Sequence, residues 1–123
     1  MILMSKINYK KLLLKKNKEP ITCLTAYSQP LAKILDNKVD LILVGDSLGT
    51  TMYGMSNTRD VTIEMMMNHG KAVVKNTKSS MTIVDMPYKT YRNKKEALKN
   101  ARRILKFTKT DFIKIETDEK NIN

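Results

Sequence analysis

Apolar residues in this chain fall in short blocks separated by polar, lysine-rich stretches, and the spacing inside each block predicts an alternating series of helices and strands. Residues Tyr9–Lys18 read as a short basic amphipathic helix, with Leu12, Leu13 and Leu14 on one side, lysines around the rest and Pro20 as its stop. Ile21–Tyr27 is rich in β-branched and aromatic residues and predicts a strand. Ser28–Lys38 predicts a helix capped by the Ser28 hydroxyl, with Leu31, Ile34 and Leu35 at helical spacing. Val39–Val44 is a nearly continuous apolar run broken by Asp40, as in a strand covered on both faces. Gly45-Asp46-Ser47-Leu48-Gly49 then predicts a tight loop, followed by a polar loop as far as Asp60. Thr62–Lys75 predicts a helix capped by Thr62 or Asp60, and Met81–Val84 a strand that Asp85-Met86-Pro87 brings to an end. Lys94–Phe107 carries the clearest helical pattern, with Ala97, Leu98, Ala101, Ile104 and Leu105 expected to face inward. Phe112–Glu116 alternates with period two, which predicts a strand with Lys114 and Glu116 on one face.

The order helix, then β-α-β-α-β-α-β, implies an α/β fold with a parallel sheet, either part of a (β/α)8 barrel or a doubly wound sheet. The Gly-x-Gly-x-x-Gly turn of a dinucleotide-binding sheet is missing after the first strand, where Ala26-Tyr27-Ser28-Gln29 stands. In a parallel barrel all strand C-termini open on one face, so Asp46, Asp85 and Glu116, each at the end of a strand, are expected to converge there. An all-oxygen cluster suits Mg²⁺, which takes one or two carboxylates plus substrate and water oxygens, and Ser47 and Lys114 stand ready to donate to an anionic substrate beside it. The duller readings are a loop-bracing Asp46, an ion pair between Lys114 and Glu116, a packing or surface role for His69, core-filling Met65, Met66 and Met67, and an inert Cys23.

Composition narrows this picture. The chain has 123 residues, 41% of them hydrophobic and 28% charged, enough for one globular domain and unlike a disordered tail. No apolar run is long enough for a membrane span, and Met1–Met4 is too short for a signal-peptide core, so a cytoplasmic protein without a membrane partner is expected. One cysteine excludes an internal disulfide framework. The formal charge of +11 suggests nucleic acid at first, but it is concentrated in residues 1–20 and 89–109, and lysine outnumbers arginine 19 to four. Arginine is the residue that phosphate and base recognition favours, so a solvated lysine-rich surface is the better reading and no nucleic-acid partner is expected.

The motifs Leu43-Val44-Gly45-Asp46-Ser47-Leu48-Gly49, Tyr53-Gly54, Thr58, Val61-Thr62, His69, Val84-Asp85-Met86-Pro87-Tyr88, Tyr91 and Ile113-Lys114-Ile115-Glu116, with Leu24-Thr25-Ala26-Tyr27 before them, resemble the ketopantoate hydroxymethyltransferase (3-methyl-2-oxobutanoate hydroxymethyltransferase) family from about Leu12 to Glu116. The resemblance implies a (β/α)8 TIM barrel of the phosphoenolpyruvate-binding superfamily. About four of its parallel strands are expected in this chain, as the N-terminal half of a single domain: a basic helix at 1–20, the β-α-β-α-β-α-β unit at 21–117 and a tail at 118–123. It implies transfer of a hydroxymethyl group from 5,10-methylenetetrahydrofolate to 3-methyl-2-oxobutanoate, giving 2-dehydropantoate in pantothenate biosynthesis, by an enzyme that is a homo-oligomer, a decamer, at full length. Mg²⁺ would be held by Asp46 and Asp85 with Glu116 close by, while Ser47 and Lys114 hold the keto acid. The catalytic base is a glutamate on a later strand and has no counterpart here, so the chain alone is expected to be inactive. A related Mg²⁺-dependent C–C lyase acting on another 2-oxo acid is the alternative. The sequence departs from the family pattern at Ser28, where an aspartate is usual, at Thr108-Lys109-Thr110-Asp111, where a glycine makes the turn, and at Thr117-Asp118 in place of two glycines.

Overall fold

A computed structural model describes residues 7–117; the expected tail at 118–123 and the first six residues of the N-terminal segment lie outside the described residues. The elements are α1 (Tyr9–Lys15), β1 (Cys23–Thr25), α2 (Gln29–Leu35), β2 (Leu41–Val44), α3 (Leu48–Met52), α4 (Ile63–Lys75), β3 (Met81–Asp85), α5 (Lys94–Thr108) and β4 (Phe112–Lys114). The strands form one parallel sheet in the order β1-β2-β3-β4. This is the expected α/β architecture, and the spatial order follows the chain without the reversal that divides a doubly wound sheet.

The register assigns faces. Leu41, Leu43, Ile83 and Phe112 share one side of the sheet and are half-buried, whereas Ile42, Val44, Thr82 and Val84 point to the other side and are buried. The buried side packs with Met66, Met67 and Val73 of α4 and Ile104 of α5 to form the core. Helix α4 starts where the Thr62 hydroxyl accepts the Met65 amide at 3.2 Å, so Thr62 rather than Asp60 is the cap. Its Gly70 lets the helix approach closely: a Cβ there would stand 3.0 Å from Thr108 Cγ2 and 3.1 Å from Val84 Cγ2. Asn93 caps α5 by accepting the Glu96 amide, and the Glu96 carboxylate reaches back to the Arg92 amide.

Several expected faces shift. In α1 only Leu12 is buried, while Leu13 and Leu14 are exposed, because successive residues of a helix lie about 100° apart and three in a row cannot share a face. In α2 the buried position is Ala32, with Leu31 and Ile34 exposed, since α2 leans on α4 and flanks the edge strand β1. Ser28 occupies the cap position of α2 without a side-chain bond; Pro30 in the first turn has no amide to offer it. In α5 the contact line is Ala97, Ala101, Ile104 and Thr108, leaving Leu98 and Leu105 exposed beside the other edge strand. Residues 48–52, expected as loop, form the short helix α3. Cys23 is exposed on β1.

The N-terminal ends of the strands are braced by carboxylates. Asp36 accepts the amides of Lys78, Ser79 and Ser80 at 2.8–2.9 Å ahead of β3. Asp40, buried just before β2, accepts the amide and hydroxyl of Thr22 and pairs with the Lys15 ammonium at 2.8 Å, which ties α1 to the sheet. Asp111, ahead of β4, accepts the amide and hydroxyl of Thr82 at 2.8 and 3.0 Å. No buried side-chain polar atom among the described residues lacks a partner.

Burial by itself would raise the carboxyls of Asp36 and Asp40, but the backbone amides of Ser80, Lys78, Ser79 and Asn37 in the first case, and Lys15 with Thr22 in the second, hold both below the ordinary aspartate value. A depressed native value means stability that is present above the unfolded value of about 3.9 and lost as pH falls through the native one. Urea midpoints should therefore hold from pH 7 to 5 and drop below pH 4, and Asp36→Asn should flatten that drop. The turn after α5 lacks glycine, and Lys109 takes the left-handed conformation with φ 63°. Relief of that conformation in Lys109→Gly should raise stability by about 1 kcal/mol in the same assay.

Candidate active site

The C-terminal ends of the strands gather the reactive groups. After β2 the chain turns at Gly45, where a Cβ would meet Ser47 Oγ at 3.0 Å and Asp85 Oδ2 at 3.5 Å. The absence of that Cβ lets the Asp85 carboxylate, at the end of β3, lie against the turn and accept the Asp46 amide at 3.2 Å. Asp46 and Asp85 thus come from adjacent strands onto one spot. Register places Lys114 of β4 opposite Asp85 on the same side of the sheet. Its ammonium donates to both Asp85 oxygens, at 2.9 and 2.8 Å, and to Glu116 Oε1 at 2.9 Å. The Asp85 side chain is only 5% exposed, that of Glu116 67%.

The electrostatics of the three acids differ. Burial raises the Asp46 carboxyl, the charges of Asp85 and Glu116 raise it further, and the Thr58 hydroxyl and Lys114 only partly offset this. Lys114 is lowered by burial, but its bonds to Asp85 and Glu116 outweigh that and hold its ammonium above the ordinary lysine value. The Tyr91 phenol is raised by its own burial and then by Glu116, Asp46 and Asp85, so it stands within the field of all three carboxylates.

Ser47 opens α3, and its hydroxyl lies 2.7 Å from the Tyr27 hydroxyl rather than capping the helix. Its carbonyl accepts the hydroxyls of Thr50 and Thr51. Tyr27 follows β1, at the same end of the sheet as Asp46 and Asp85. Its carbonyl accepts from His69 Nδ1 at 2.6 Å, and His69 Nε2 lies 2.9 Å from the Tyr53 hydroxyl, with the two rings edge to face. His69, expected as a packing or surface residue, is therefore bonded at both ring nitrogens. A cleft of about 300 Å³ beside it is lined by Tyr27, Ser28, Gln29, Asn68, His69 and Ala72, and the carboxylates lie outside that cleft.

Of the predicted site residues, Asp46, Ser47, Asp85 and Lys114 lie in one cluster, and Glu116 reaches it through Lys114. Among the described residues no group of three His, Cys, Asp or Glu side chains is placed to hold a metal ion. A lysine ammonium occupies the space between Asp85 and Glu116, so an additional cation here has two aspartates to rest on. That all-oxygen pair, with Asp46 left short of positive charge, fits a hard divalent cation that completes its shell with substrate and water oxygens. Spacing alone did not mark Tyr27, Thr58 or Tyr91 as site residues. The rule that strand C-terminal ends share one face identifies Tyr27, but Thr58 and Tyr91 sit in loops, where periodicity carries no information.

The family model described as ketopantoate hydroxymethyltransferase matches residues 6–123. The chain is similar to the 3-methyl-2-oxobutanoate hydroxymethyltransferases of Pelagibacter ubique (53% identity over 108 residues, 88% of this chain and 42% of that protein), Anaplasma marginale (54% over 102 residues, 83% and 37%) and Rhizobium etli (50% over 105 residues, 85% and 38%). It spans about 40% of the length of these curated relatives.

Removing one member of the Asp85–Lys114 pair leaves the other with a reduced set of partners in a mostly buried place. Lys114→Met and Asp85→Asn should each destabilise the chain by about 1–3 kcal/mol, and the double variant by clearly less than their sum. A double-mutant cycle by urea denaturation measures this, and additive losses would show that the pair is not coupled.

Proposed function

The chain belongs to the ketopantoate hydroxymethyltransferase family, and from that premise we propose that it supplies the metal-binding and keto-acid-binding part of a one-carbon transferase. In this reading the full-length enzyme moves a hydroxymethyl group from 5,10-methylenetetrahydrofolate to 3-methyl-2-oxobutanoate, giving 2-dehydropantoate for pantothenate biosynthesis. The observation that carries the reading is the meeting of Asp46 and Asp85 from neighbouring strands, with Ser47 and Lys114 as donors at their side. The sheet is read as four consecutive strands of a TIM barrel, whose interior face is the side carrying Leu41, Leu43, Ile83, Asp85 and Lys114.

Asp46 and Asp85 would hold Mg²⁺, with Glu116 acting through Lys114. When bound, the ion supplies Lewis-acid polarisation of the keto and carboxylate oxygens of the substrate, which makes the neighbouring C–H more acidic. The chain's own groups do the rest of the binding. Lys114 presents an ammonium that Asp85 and Glu116 keep protonated, matched to the substrate carboxylate. The Ser47 hydroxyl, fixed by Tyr27, offers a second donor to the keto acid. Proton removal from the substrate carbon belongs to a base outside these four strands, a glutamate on a later strand as the family resemblance implies.

Titration of the chain with 3-methyl-2-oxobutanoate should show binding that depends on Mg²⁺. Asp46→Asn and Asp85→Asn should each weaken Mg²⁺ binding by at least about tenfold. Equal Mg²⁺ affinity in both variants and the unmodified chain, measured by calorimetry, would refute the assignment.

A further inference from the structure

Beside the carboxylate cluster, the contacts around helix α3 form an arrangement of their own. Helix α3 is short, and its sequence Leu48-Gly49-Thr50-Thr51-Met52 is a poor helix former, with a glycine and two β-branched residues in five positions. It nevertheless carries Asp46 and Ser47 at its entrance and must hold them still. Both of its ends are tied to one residue, Tyr27. At the entrance the Tyr27 hydroxyl meets Ser47 Oγ at 2.7 Å. At the exit Tyr53 is reached through His69, which touches the Tyr27 carbonyl at 2.6 Å and the Tyr53 hydroxyl at 2.9 Å.

A carbonyl oxygen only accepts, so His69 Nδ1 must carry a proton. In the neutral ring Nε2 is then an acceptor, and the Tyr53 hydroxyl donates to it. A histidine on the long helix α4 thereby spans the gap from the end of β1 to the exit of α3, while Gly49 lets α3 seat closely: a Cβ there would stand 2.6 Å from Val61 Cγ2 and 3.1 Å from Met55 Sδ.

We propose that His69 is a positioning residue of the site: as the neutral Nδ1–H tautomer it joins Tyr27 to Tyr53 and so clamps α3, fixing Asp46 and Ser47 for ligand binding. The last clause rests on the proposed keto-acid function; the clamp itself does not. His69 does not touch the carboxylates and takes no part in proton removal.

His69 is the only histidine in the chain, so its signals need no assignment. In a ¹⁵N-labelled sample at pH 7, long-range ¹H–¹⁵N correlation should show a protonated Nδ1 and a bare Nε2. Tyr53→Phe removes the exit bond at an exposed side chain, and His69→Asn keeps a donor near the Tyr27 carbonyl while losing the reach to Tyr53. In each, amide exchange at Gly49, Thr50 and Thr51 should speed up by about tenfold, the worth of one hydrogen bond, with no further gain in the double variant and unchanged rates in β2 and β3. Mg²⁺-dependent binding of 3-methyl-2-oxobutanoate should weaken by about three- to tenfold in the same variants. An Nε2–H tautomer, unchanged α3 exchange, additive effects in the double variant, or acceleration spread evenly over the sheet would overturn the clamp. An unmodified chain that binds no keto acid while the tautomer and exchange results hold would count against the substrate reading alone.

Discussion

The arrangement at the strand ends depends on the Lys114 ammonium. Three carboxylates, those of Asp46, Asp85 and Glu116, lie within one another's field, and the low exposure of Asp85 makes its charge expensive to leave unpaired. Lys114 meets both Asp85 oxygens and Glu116 at once, a geometry that follows from its register opposite Asp85 on the next strand. The compensation is incomplete. Asp46 receives only a hydroxyl from Thr58 and a distant share of Lys114, and its carboxyl is held above its ordinary value. One carboxylate is thus satisfied while its neighbour is left short of positive charge.

Much of this was legible from residue order. Apolar runs that end in glycine or before proline located the C-terminal ends of β2 and β3, and so Asp46 and Asp85, because a parallel strand buried on its helix side has few other patterns open to it. Period two at Phe112–Glu116 placed Lys114, and its partner then followed from strand order. Helix α3 was not legible. Leu48, fully buried, and the Thr50 and Thr51 hydroxyls returning to the Ser47 carbonyl make it a helix that tertiary contacts impose on a sequence with low propensity. Nor was the role of His69, since its two partners lie 42 and 16 residues away and no local spacing relates them. The exposed flanks of α2 and α5 have the same origin: apolar periodicity marks the side of a helix that can be buried, whereas the neighbours decide how much of it is.

The two ends of the sheet use the same side chain, aspartate, for opposite purposes, and the bonding around each one tells them apart. At the N-terminal ends Asp36, Asp40 and Asp111 meet amides, hydroxyls and a lysine that the chain itself supplies. For Asp36 and Asp40 these donors outweigh burial and depress the carboxyl, so folding is favoured by the ionised group. At the C-terminal ends Asp46 shows the reverse sign: burial and like charges outweigh its donors, so ionising it opposes folding. Where such donors outweigh burial, as at Asp36 and Asp40, the carboxylate braces the fold. Asp46 instead stands beside a second carboxylate and a lysine, with burial and like charge working against its ionisation. Asp40 in the sequence interrupts an apolar run as conspicuously as Asp46 ends it, and only the partners gathered by folding make the first a brace and the second a candidate ligand.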